Sequence, residues 1–225
     1  MEFLMNLLVK FSGEFFDSKD SLSEIGKEFL ENMKDVERAY VVIGGGNRIR
    51  GRSSSFRRPG SDRIGVLSTL MNGFILKESL EEMGKKVAIF SHFSDFGQVY
   101  DYQQAKTEFE NHKWVIFAGG LGRVYYISTD VNSVIKSLEV GADAVVKLTK
   151  NGGVYDKDPS VYEDAQVIPN LTYDEVLTNK LAIMDFAAID IASENNLPIA
   201  VLNIKDFPKF LAGEKVGSII GKDWR

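Results

Sequence analysis

The chain has 225 residues, enough for a substantial core, and its 44% hydrophobic and 26% charged residues suit a soluble globular protein. A net charge of −5 argues against a broad nucleic-acid-binding surface. No cysteine is present, which excludes disulfides and thiolate metal sites, and no run reaches the ~20 apolar residues of a membrane span.

The apolar run at 3–9 follows Glu2 and has no basic flank, so it reads as a buried strand and not as a signal peptide. Further strand-like runs lie at 40–43, 86–90, 114–118, 144–148 and 198–203. Their nearly continuous apolar character suits parallel strands covered on both faces. Helical spacing alternates with them. Leu67, Leu70, Met71 and Phe74 form one such pattern. Val131, Val134, Ile135 and Leu138 form another, with Thr129 and Asp130 as N-cap candidates and Gly141 as a stop. Thr172 and Glu175 have capping-box spacing. The alternation predicts an α/β fold with a central, mainly parallel sheet. The serine-rich stretch 53–61, with Pro59 and Gly60, reads as a mobile active-site loop.

Glycine-rich turns follow the runs ending near residues 9, 43 and 118. They are Lys10-Phe11-Ser12-Gly13-Glu14, the stretch from Gly44-Gly45-Gly46 to Arg50-Gly51, and Gly119-Gly120-Leu121-Gly122. Such turns expose backbone N–H groups and let an anion approach closely, so together they point to a site for several phosphates. Lys10, at the end of a buried run, is either a solvated strand-end lysine or a cation held there by an anionic partner, since burying it unpaired is costly. Arg48, Arg50, Arg52, Arg57 and Arg58 form a local basic cluster. The triple-glycine turn fails the dinucleotide fingerprint at Ile49, and from Gly46 to Ser53 it narrowly misses a Walker A loop. Asp62 is either a helix N-cap or an acceptor for substrate hydroxyls. Ser128 and Thr129, just before a helix, suit an anion. His92 and His112 have no metal-ligand spacing with carboxylates.

The wording of these turns resembles that of bacterial UMP kinases, of the amino-acid kinase fold. Asp62-Arg63-Ile64-Gly65-Val66-Leu67-Ser68-Thr69-Leu70-Met71-Asn72 is similar to a helix of that family. So are Leu148-Thr149-Lys150-Asn151-Gly152-Gly153-Val154-Tyr155-Asp156-Lys157-Asp158-Pro159, Leu171-Thr172-Tyr173-Asp174-Glu175-Val176-Leu177 and Met184-Asp185. The resemblance covers nearly the whole chain. It implies one domain over 1–225, built as a three-layer αβα sandwich around a mainly parallel sheet. It implies transfer of the ATP γ-phosphate to UMP, giving UDP for pyrimidine nucleotide biosynthesis, in the cytoplasm. It also implies a homo-oligomer, in the family a hexamer, with Mg²⁺ carried by the ATP phosphates and no protein metal site.

By the same resemblance Lys10, Arg50 and Asp130 are catalytic. Lys10, Ser12, Gly13, Gly46, Arg50, Thr149, Tyr155 and Asp158 bind ATP. Gly45 and Asp62 bind UMP, together with the loop Leu121, Gly122, Arg123, Val124, Tyr125, Tyr126, Ile127, Ser128 and Thr129. That loop departs from the family pattern: it is longer by one residue, and the family's Asn-Pro is replaced by Arg123-Val124. Only Phe15, Phe16, Asp17 and Ser18 stand where many bacterial members carry a glycine-rich insert, so GTP activation is not expected. The alternatives are a kinase of the same fold acting on a carboxylate or carbamate, and a nucleotide-binding sensor or storage protein without catalysis.

Overall fold

The computed structural model describes residues 6–17, 21–49, 55–58, 60–149, 151–181 and 183–222. The first half runs β1 (Leu7–Phe11), α1 (Glu24–Asn32), β2 (Tyr40–Ile43), α2 (Gly60–Glu82), β3 (Val87–Ser91), β4 (Gln98–Val99), α3 (Tyr102–Glu110) and β5 (Trp114–Ala118). The second half runs α4 (Thr129–Val140), β6 (Ala144–Thr149), β7 (Asn170–Leu171), α5 (Tyr173–Thr178), α6 (Phe186–Glu194), β8 (Ile199–Asn203), α7 (Phe207–Leu211) and β9 (Ser218–Ile220). The strands form one sheet in the order β4-β3-β5-β2-β1-β6-β8-β9-β7. All pairings are parallel except β8 with β9.

Strand parity builds the three layers. Leu7, Val9 and Phe11 of β1, Val41 and Ile43 of β2, and Ala144, Val146 and Leu148 of β6 pack in one core. Phe29 of α1, Leu70, Leu76 and Leu80 of α2, and Phe207 and Phe210 of α7 cover them. The alternate residues Leu8, Tyr40, Val42 and Val145 point the other way, beneath α3, α4, α5 and α6. A strand buried on both faces must be apolar at every position, which is why the sequence runs do not alternate. No helix among the described residues is long and apolar enough to cross a membrane.

Several local expectations change. β1 continues through Lys10 to Phe11, so Lys10 lies inside the strand and not in the turn after it. β4, β7 and β9 have two or three residues each, too few to show a hydrophobic period. The N-cap of α4 is Ser128, whose side chain accepts from the Val131 N–H at 3.3 Å, so Thr129 and Asp130 are already helical. Gly141 ends α4 at φ +70°, as its position suggests. Asp62 lies in the first turn of α2 and is not its N-cap. Leu67 and Met71 are half exposed although Leu70 is buried, because α2 carries apolar side chains on more than one face. Of the stretch 53–61, residues 53, 54 and 59 lie outside the described residues, and Gly60 and Ser61 begin α2.

Candidate active site

The chemistry gathers at the C-terminal edge of the parallel strands, where α/β sheets place ligands. Lys10 of β1 and Lys147 of β6 are register partners. Both fall on the parity that faces α4. The first turn of α4 sets Asp130 between them, with ion pairs of 2.7 Å to Lys10 and 3.6 Å to Lys147. The Asp185 N–H donates to Asp130 Oδ2 at 3.1 Å, and Lys147 Nζ donates to the Ile183 carbonyl. Burial alone would raise the Asp130 carboxyl, but the charges of Lys10 and Lys147, with the Asp185 N–H, hold it below its ordinary value. Burial and then repulsion from Lys10 push Lys147 down to about 8, against the pull of Asp130 and Glu14. The α4 dipole adds its positive end to this pair of cations.

Three cavities meet here. One, of about 450 Å³, is lined by Gly45, Gly46, Asp62, Val66, Ser128 and Asn132 among others. A second, of about 680 Å³, is lined by Lys147, Thr149, Val154, Tyr155, Asp158 and Ile183 among others. The third, of about 460 Å³, holds Asp130 and shares Ser128 with the first and Lys147 and Ile183 with the second. Two chambers of nucleotide-binding size therefore flank a third cavity lined by Asp130 and Lys147, and Lys10 pairs with Asp130 without lining any of the three.

The glycines hold this edge together. A Cβ on Gly13 would sit 2.5 Å from the Gly46 nitrogen, so only glycine lets the first and second turns touch. Gly119, Gly120 and Gly122 take φ of +80°, +57° and +69°, a path that β-carbons resist. α2 fastens two of the turns: Asn72 Nδ2 donates to the Gly44 carbonyl at 2.8 Å, and the Gly119 N–H donates to Thr69 Oγ1 at 2.9 Å. At the mouth of the first chamber, Arg58 Nε and Nη2 donate to Asp62 Oδ2 at 2.9 and 2.7 Å, and the Tyr126 N–H donates to the same oxygen at 2.8 Å. The Arg58 guanidinium also lies 4.6 Å from the centre of the Tyr126 ring. Burial raises the Asp62 carboxyl, but Arg58 and the Tyr126 N–H outweigh it and keep the group below its ordinary value.

The first chamber collects Gly45, Asp62, Leu121, Val124, Tyr126, Ile127, Ser128 and Thr129 of the expected UMP set, and Gly46 of the expected ATP set. Gly122, Arg123 and Tyr125 do not line it. The second chamber collects Thr149, Tyr155 and Asp158 of the expected ATP set. Ser12 and Gly13 lie in the turn after β1, outside both linings. Arg50 lies outside the described residues. The sequence reading missed Lys147 and Asn132, and placed Arg58 only in a local basic cluster, without its pairing to Asp62. Lys147 had a signal, a lone charge in an apolar strand; Asn132 had none that spacing alone could show.

Fold and site together define a class: the chain belongs to the amino acid kinase family, whose model matches residues 5–203. Within that family the chain is similar to uridylate kinases. The uridylate kinase of Campylobacter jejuni subsp. jejuni is 36% identical over 211 residues, covering 88% of this chain and 88% of the relative. That of Sulfurovum sp. is 35% identical over 219 residues, covering 92% and 93%. The crystal structure of UMP kinase from Bacillus anthracis superposes with a TM-score of 0.87 at 29% identity, covering 97% of this chain and 96% of that one.

Proposed function

We propose that this chain is a UMP kinase that transfers the γ-phosphoryl group of ATP to UMP, giving ADP and UDP. The observation that carries the reading is the pair of chambers on either side of a cavity lined by Asp130 and Lys147, with Lys10 paired to Asp130. UMP occupies the chamber under α2 and the 121–129 loop, and ATP the one lined by Thr149, Tyr155 and Asp158. A UMP phosphate oxygen bonds to the γ-phosphorus as the β–γ bridging bond breaks, and that electron pair leaves with ADP. The nucleophile is already anionic, so no general base is required. Lys10 and Lys147 neutralise charge on the transferring group, and Asp130 fixes their separation. We also assign Arg50, Ser12, Gly13 and Gly46 to phosphate binding and Asp62 to the UMP ribose, as the family resemblance implies.

Among the described residues no three carboxylate, histidine or cysteine side chains are grouped to hold a metal ion. Mg²⁺ arriving on the ATP phosphates would shield their charge beside Lys147 and Asp130. We read the chain as one domain acting in the cytoplasm as a homo-oligomer. An ADP-release assay with ATP and a panel of nucleoside monophosphates tests the proposal. UMP should be turned over, with CMP and the purine monophosphates much poorer, because a site built to hydrogen-bond one base leaves polar groups unpaired with another. Equal turnover of UMP and CMP at subsaturating concentration would overturn that specificity, and no turnover of any monophosphate would overturn the activity.

A further inference from the structure

Asn132 stands in the fourth position of α4 and lines the first chamber beside Ser128 and Thr129. It is 3% exposed, and its Oδ1 is buried with no hydrogen-bond partner among the described residues. Two costs meet at this residue. A buried acceptor left unpaired loses its hydration without return. Asparagine is also a poor helix former compared with alanine, because its short amide competes for backbone bonds. A rotation about χ2 exchanges the two ends of the amide, so the oxygen can be presented to a ligand in the chamber.

Resting on the UMP kinase reading, we propose that Asn132 is a direct contact to the acceptor nucleotide, its oxygen accepting from a donor on that ligand. A phosphate oxygen at neutral pH only accepts, so the matching group is the uracil N3–H or a ribose hydroxyl. Asn132 is then a specificity residue whose cost in the free protein is recovered on binding.

The opposed signs of two measurements test this. Asn132→Ala and the bulkier Asn132→Leu, which leaves no void, should raise the KM for UMP about tenfold or more and leave the KM for ATP within about twofold. The ligand-free melting temperature should hold or rise in at least one of them, by about 2–4 °C if the orphaned acceptor was its main burden. Wild type should lose affinity for the analogue that lacks the donor, either N3-methyl-UMP or 2′-deoxy-UMP, and the variants should lose little more on the same change. UMP turnover by wild type is measured first, since its absence retires the reading of function and this proposal with it. With wild type active, an unchanged KM for UMP in both variants overturns only the role of Asn132. So does a fall in melting temperature in both variants with equal rises in both KM values, which would make Asn132 structural.

Discussion

At the scale of single residues, Lys10, Asp130 and Lys147 form one electrostatic unit, and the two lysines answer to different tests. Lys10→Ala should lower kcat by about a hundredfold or more while UMP binding is largely kept, because the charge it meets is greatest in the transition state. A folded variant with near-normal turnover would make Lys10 a structural residue. Lys147 should show in the pH profile. Held at about 8 in the free protein, it loses its charge as pH rises through that value. kcat/KM should therefore fall above about pH 8 with a one-proton limb. The limb in kcat should lie higher, because bound phosphates favour the charged lysine. Lys147→Arg, which stays charged, should remove the limb. A flat wild-type profile through pH 9 would contradict the assignment. For stability the sign is opposite. Between about 8 and the ordinary 10.5 the unfolded chain binds the proton more tightly. The cost of burying this lysine is thus fully present below pH 8 and is relieved as pH rises towards 10.5.

At the scale of elements, α2 fastens the turns of the proposed acceptor half of the site, and the link after β1 bears on the expected lack of GTP activation. That link is a 3₁₀ turn, Gly13–Phe15, followed by a bridge between Phe16 and Leu22 that leads into α1. An activator shifts an equilibrium only through contacts that differ between two states, and so short a connection lacks the surface of a glycine-rich insert. A titration with GTP at subsaturating UMP and fixed ATP should change the rate by less than about twofold. A several-fold rise would place a GTP site on other residues.

At the scale of the whole molecule, the exposed apolar side chains of α2 call for a cover. Ile64, Leu67 and Met71 stand 41%, 50% and 48% exposed at helical spacing. We propose that in the homo-oligomer this stripe would face the same stripe of a second copy across a two-fold axis. Sedimentation velocity should find the wild type larger than a monomer, and Leu67→Asp with Met71→Asp should reduce the assembly to smaller species. A monomeric wild type, or a double variant with unchanged mass, would sink this assignment.

The sequence by itself determined what is local. The six long strands, the helix stop at Gly141, the capping box at Thr172 and the glycine turns all follow from short-range sterics and hydrogen bonding, which neighbouring residues dictate. The phosphate role proposed for the turns rests on the same local geometry. Tertiary structure decided what depends on strand order and parity. β1 and β6 are far apart in sequence yet adjacent in the sheet, and only their register sets Lys147 beside Lys10 and beneath Asp130. The same holds for Arg58 against Tyr126 and for Asn132 in its chamber. A hydrogen bond or ion pair acts over a few ångströms, and along the chain those distances do not exist until the sheet has closed.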